Sequence, residues 1–114
     1  MAKDLRSFLA ELRRKTPDNY LEVTKKIDSQ FETSALLKHL ENRKNFSTVK
    51  FKNVLNLKGV GGHVVVSNLT ATRENMAIAA GLAPSECRGE LTRQVSGRSK
   101  NLIAPQILSA QDAP

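Results

Sequence analysis

Between Val49 and Leu82 the spacing of apolar residues changes once, and three glycines stand ahead of the change. Val49 and Phe51 alternate with Thr48, Lys50 and Lys52, a period of two that gives a strand one apolar face. Gly59, Gly61 and Gly62 then supply the backbone freedom for a reversal. The run from His63 to Val66 ends in three valines and predicts a strand covered on both faces. Beyond Asn68 the period becomes helical through Met76, Ile78, Ala79 and Ala80, with Thr70 or Thr72 as N-cap and Gly81 as the stop. The rest of the chain is organised around this strand, turn, strand and helix.

Taken from its start, the chain predicts a first helix over Lys3 to Lys15, because Leu5, Phe8, Leu9 and Leu12 make a single stripe. Thr16-Pro17-Asp18-Asn19 ends it, since Pro17 removes a donor and biases Thr16 away from helix. Tyr20 to Lys25 reads as a strand with Leu21 and Val23 inward and Glu22 and Thr24 outward. Ser29-Gln30-Phe31-Glu32 has the form of a capping box for a second helix carrying Ala35, Leu36, Leu37 and Leu40 and ending in Glu41 to Asn45. Pro84 and Ser85 open a fourth helix through Leu91 and Val95, with Ser96-Gly97 as its stop. Asn101 to Leu108 is an extended apolar arm, and isoleucines and leucines in such an arm need cover from a partner or a following domain.

Few residues stand out as chemistry. His39 lies on the solvent side of the second helix without a second ligand one turn away, so it reads as a surface residue. His63 has no Cys, Asp or Glu at ligand spacing and no nucleophile beside it. The Gly-Val-Gly-Gly loop invites a phosphate-binding reading, but neither phosphate-loop pattern is present and no helix follows directly, which favours a hairpin turn. Cys87 sits near a helix start next to Arg88, yet it lacks a visible base or resolving cysteine and reads as an incidental thiol.

Composition bounds the remaining possibilities. At 114 residues with 4% aromatic content the chain is one domain with an aliphatic core. A single cysteine excludes an internal disulfide framework and fits a reducing, cytoplasmic setting. The first fifteen residues are too charged for a signal peptide or a membrane span. The net charge of +7 raises the question of nucleic acid. Its dispersal over helix ends, at Arg13-Arg14-Lys15 and Arg43-Lys44, and over Arg88, Arg93, Arg98 and Lys100, together with the lack of stacking aromatics, argues against it.

The segments Asp4 to Leu12 (DLRSFLAEL), the strand around Leu21-Glu22-Val23 with Ile27 to Glu32 (IDSQFE), Phe51 to Val54 (FKNV) and Ser67 to Leu82 (SNLTATRENMAIAAGL) come in an order and spacing that resembles the opening domain of UbiD-type carboxy-lyases. The likeness covers most of residues 4 to 82 and continues faintly through Ala104-Pro105. It implies a complete enzyme that reversibly decarboxylates aromatic, heteroaromatic or α,β-unsaturated acids with prenylated FMN, a divalent metal (manganese or magnesium) and potassium. The flavin would act as electron sink for the carbanion-like intermediate. In that family the catalytic, flavin and metal residues belong to a central domain that matches nothing here, so no catalytic, cofactor-binding or metal residue is carried over. Asn68 and Arg73 match recurrent family positions. Asn68 is read as a turn or cap between strand and helix, Arg73 as a first-turn exposed or interdomain residue.

The expectation is an α+β domain over residues 1–97 in the order α-β-α-β-β-α-α, with helices on one face of a small mixed or antiparallel sheet, and an arm over residues 98–114. Its expected role is that of a scaffold without chemistry of its own, partnered by a flavin-binding domain or another subunit in a homo-oligomeric enzyme, with no membrane partner. The other class of reading is a small basic binding module docking on a protein or on nucleic acid.

Overall fold

A computed structural model describes residues 4–112, and the expectations that fall on Lys3 and on Ala113 and Pro114 lie outside the described residues. In chain order the elements are α1 (Leu5–Lys15), β1 (Tyr20–Val23), β2 (Ile27–Asp28), α2 (Glu32–Asn42), β3 (Thr48–Leu55), β4 (His63–Ser67), α3 (Arg73–Ala79) and α4 (Gly89–Arg98). Short 3-10 turns occupy Pro17–Asn19 and Pro84–Glu86. This is the expected order, with the two-residue β2 added.

Every other strand pairs with β3. The strand β4 runs antiparallel to it along one edge, with Val49 opposite Ser67 and Phe51 opposite Val65. Both β1 and β2 run parallel to it, β1 against Thr48 to Phe51 and β2 against Val54 and Leu55. Because Val49, Phe51 and Val54 already face β4 on one side, β1 and β2 follow one another along the other. The sheet is therefore mixed. A register shift between Phe51 and Val54 lets Val54 join the side of Phe51 despite an odd spacing.

The placement of helices on one face is corrected by the packing. Paired residues of a ladder project to the same face. On one face Tyr20 and Val66 meet Phe8, Leu9 and Leu12 of α1 and Ile78 of α3. On the other, Val49, Phe51, Val54, Val23 and Ile27 meet Leu36, Leu37 and Leu40 of α2. The parallel connection into β3 runs through α2 and carries that helix across one face, while α1, which precedes β1, and α3, which follows β4, pack on the other. Val23 faces inward as expected, while the single turn of apolar alternation concealed that Tyr20 is used on the far face.

The helix ends follow local chemistry. Asp4 caps α1 by accepting from Ser7 N at 2.7 Å while Ser7 Oγ accepts from Asp4 N at 3.2 Å. Thr16 closes it through its N–H to Leu12 O at 2.8 Å. The expected capping box at Ser29 is not formed. Ser29 N instead extends the β2–β3 pairing to Leu55 O, Phe31 takes a left-handed conformation as N-cap, and the Glu32 carboxylate reaches back to Asp28 N at 2.7 Å. Thr72, not Thr70, caps α3, and Gly81 leaves it at φ 83°.

Two further expectations change. The helix α4 runs through Ser96 and Gly97 to Arg98 and is preceded by the 3-10 turn that Pro84 starts, which puts Cys87 before the helix and not in its first turn. Leu91 is its one buried residue, and Arg98 Nη2 donates to Ala80 O at 2.8 Å, tying its end to the end of α3. The valine run of β4 is an edge strand and not a covered one: Val64 is 57% exposed. Met76, counted in the α3 stripe, also turns outward, and the buried positions of that helix are Asn75, Ala77 and Ile78. Residues 102–109 form neither helix nor strand, and Ile103 and Ile107 lie almost fully in solvent.

Candidate functional site

The glycine loop is a hairpin in which the amides of Lys58, Gly59, Val60 and Gly62 are already engaged. Asn56 Oδ1 accepts from Lys58 N at 2.9 Å and Val60 N at 3.0 Å, Asn53 Oδ1 accepts from Gly62 N at 2.9 Å, and Gly59 N donates to Asn56 O. Gly59 and Gly62 hold positive φ, and a Cβ at Gly61 would stand 2.9 Å from Asn53 Oδ1. Donors turned inward on side-chain amides do not cradle a phosphate. Among the described residues no three of His, Cys, Asp and Glu gather closely enough to hold a metal ion. The hairpin therefore does not fit a flavin phosphate, and no chemical step is derived through a flavin or a metal.

His39 lies exposed on α2, and His63 lies exposed at the start of β4 opposite Val54. Arg73 and Cys87 are brought together with Met76, Arg88 and Leu91 around a cavity of about 460 Å³ between α3 and α4. No histidine or carboxylate lines it, so the thiol has no base there. Asn68 takes φ 59°, and its carbonyl accepts from Thr48 Oγ1 at 3.0 Å; it is the turn between β4 and α3 that its position predicts.

That bond belongs to a buried network that sequence reasoning missed. Asn75 is fully buried, donates from Nδ2 to Thr48 Oγ1 at 3.0 Å and accepts from Thr16 Oγ1 at 3.3 Å. One amide thus links the end of α1, the start of β3 and the turn into α3. The only sequence signal is a polar residue three positions before Ile78, on the buried side of α3.

A further concave surface lies between α1 and the sheet. Arg6, Leu9, Ala10, Arg13 and Arg14 of α1 face Tyr20, Glu22 and Lys50 across a cleft of about 370 Å³. Sharing Arg6, Leu9 and Lys50 with it, a second hollow of about 470 Å³ continues over Leu5, Val64, Val66 and Leu69. Within the cleft Tyr20 Oη donates to Glu22 Oε1 at 2.9 Å, and Lys52 Nζ pairs with Glu22 Oε2 at 2.6 Å. The hydrogen bond from Lys52, then that from Tyr20, holds the Glu22 carboxyl below its ordinary range. Burial first, and the bond to Glu22 second, pushes the Tyr20 phenol up to about 12. The one carboxylate of the cleft is thereby committed, while Arg6, Arg13, Arg14 and Lys50 form no direct salt bridge among the described residues.

No helix of the described residues is long and apolar enough to cross a membrane. No curated protein matches the sequence, and no solved structure does. The family model described as the 3-octaprenyl-4-hydroxybenzoate carboxy-lyase N-terminal domain matches residues 12–95, which takes in every element from the end of α1 to most of α4. On that match, over the larger part of its length, the chain belongs to the UbiD family as its N-terminal domain.

Proposed function

We propose that this domain is the structural shoulder of a UbiD-like decarboxylase, supplying domain or subunit contacts while the reaction takes place on residues elsewhere. The complete enzyme would remove or add carbon dioxide at aromatic or α,β-unsaturated carboxylic acids, with prenylated FMN, a divalent metal and potassium bound outside these residues. It would work in the cytoplasm, which a single cysteine fits, and as a homo-oligomer.

The observation that carries this reading is the family match over residues 12–95, joined to a hairpin whose amides are spent on Asn53 and Asn56. The apolar arm from Leu102 to Leu108 supports the contact role, since exposed aliphatic side chains gain stability when a neighbour covers them.

The test is a loading experiment on the purified chain. Incubated with FMN or prenylated FMN, manganese and potassium and then gel-filtered, the protein should emerge without flavin absorbance and should release no carbon dioxide from cinnamate-like or hydroxybenzoate-like acids. Retained flavin or evolved carbon dioxide would overturn the assignment of the chemistry to other residues.

A further inference from the structure

The groove between α1 and the sheet has two unlike halves. At one end stand Arg6, Arg13, Arg14 and Lys50, four cations without a direct salt bridge among the described residues, although Arg13 acts on Glu22 and Arg6 on Asp4 at longer range. Arg6 and Arg13 stand two turns apart on α1, which returns them to one side of the helix, and Arg14 flanks Arg13. Lys50 stands half-buried on the central strand between them and the sheet floor. The other end is aliphatic, formed by Leu5, Leu9, Val64, Val66 and Leu69 beside the open edge of β4. A half-buried ammonium on a sheet floor loses hydration, and an anion brought beside it regains that interaction.

We propose that this groove binds an acidic, aliphatic-anchored segment of the flavin-bearing partner, its Asp or Glu side chains meeting Arg6, Arg13 and Lys50 and its apolar residues covering Val64, Val66 and Leu69. Charge selects the occupant. A second copy of a chain carrying +7 would bring more cations to the groove, and the chain's own arm over residues 98–114 carries a single acidic residue, Asp112, against Arg98 and Lys100. A nucleic-acid strand would match the cations but leave the aliphatic half facing phosphates. The groove's one aromatic ring, Tyr20, is engaged through its hydroxyl with Glu22 and offers no free stacking platform. An extended acidic segment satisfies both halves, and β4 offers it an unpaired strand edge.

This inference rests on the scaffold reading for the source of the segment, but its test needs no flavin protein. A fluorescein-labelled peptide of alternating Val and Glu is titrated with the purified chain by anisotropy, against a Val-Lys peptide, a single-stranded oligonucleotide and inorganic phosphate as competitors. The Val-Glu peptide should bind, should shift the amide resonances of Leu9, Lys50, Val66 and Leu69, and should lose at least about tenfold in affinity in Arg6→Glu and Arg13→Glu, both at exposed helix positions where the fold tolerates the change. Val64→Asp, which alters only the aliphatic half, should weaken it as well. Equal binding of the Val-Lys peptide, displacement by the oligonucleotide or phosphate, or peptide binding indifferent to the charge reversals would each overturn the proposal. Flavin retention by the chain alone would instead sink the scaffold reading and leave this readout standing.

Discussion

Asn75 shows how much one side chain can organise. Removing a buried amide costs stability, because Thr16 and Thr48 then keep hydroxyl groups in a space built for it. Asn75→Ala should lower the free energy of unfolding by about 2–3 kcal/mol, from lost hydrogen bonds and a small cavity together, read as a fall in the urea midpoint at constant slope. Tyr20 offers a second test, since it is the chain's single tyrosine and its phenolate absorbance reports one site. Its pKa in the fold lies at about 12, above the value of about 10 in an unfolded chain. A raised pKa means that the fold prefers the protonated phenol. That preference contributes in full below pH 10 or so and is lost as pH rises from there through about 12. An ultraviolet titration of the folded protein should therefore find its midpoint well above that of free tyrosine, and Glu22→Gln should bring it down while leaving the part due to burial. A midpoint at the ordinary value would contradict the Tyr20–Glu22 geometry.

Among the elements, those with a clean period were legible beforehand. The α1 stripe, the β3 alternation and the glycine hairpin each carry a local signal that nothing in the tertiary structure opposes. What the sequence concealed has physical causes. Three valines in a row look alike at the centre of a sheet and at its edge, so the exposure of β4 was unreadable. Ser29 and Glu32 have capping-box spacing, but the ladder competes for Ser29 N and wins. The groove joins cations from α1 and β3 that lie far apart in sequence, and only packing reveals them as neighbours. Gly97 is the case with a measurable remedy. It sits inside α4, where a Cβ would meet nothing within 4 Å. Gly97→Ala should stabilise the protein by about 0.5–1 kcal/mol, through reduced freedom of the unfolded chain, with a rise in helical circular dichroism.

At the scale of the whole molecule, the described residues divide into a packed part and an arm. Every buried side chain lies between Phe8 and Leu91, and the residues after Asn101 contribute none. Ending the chain after Asn101 should therefore leave the free energy of unfolding within about 0.5 kcal/mol of the full-length value, as surface changes do. It should also reduce self-association or partner capture that depends on Leu102, Ile103 and Ile107. A drop in stability of several kcal/mol would mean that the arm folds back on the domain.

The bond from Arg98 to the Ala80 carbonyl has a bearing on where that arm points. Apart from Leu91, little else presses α4 onto the domain, so one guanidinium acts as the rudder for everything downstream. With it in place, the last residues leave the globule from a fixed spot beside α3. Cut away, as in Arg98→Ala, the same residues would sweep a wide cone, and whatever they are meant to reach would be met less often.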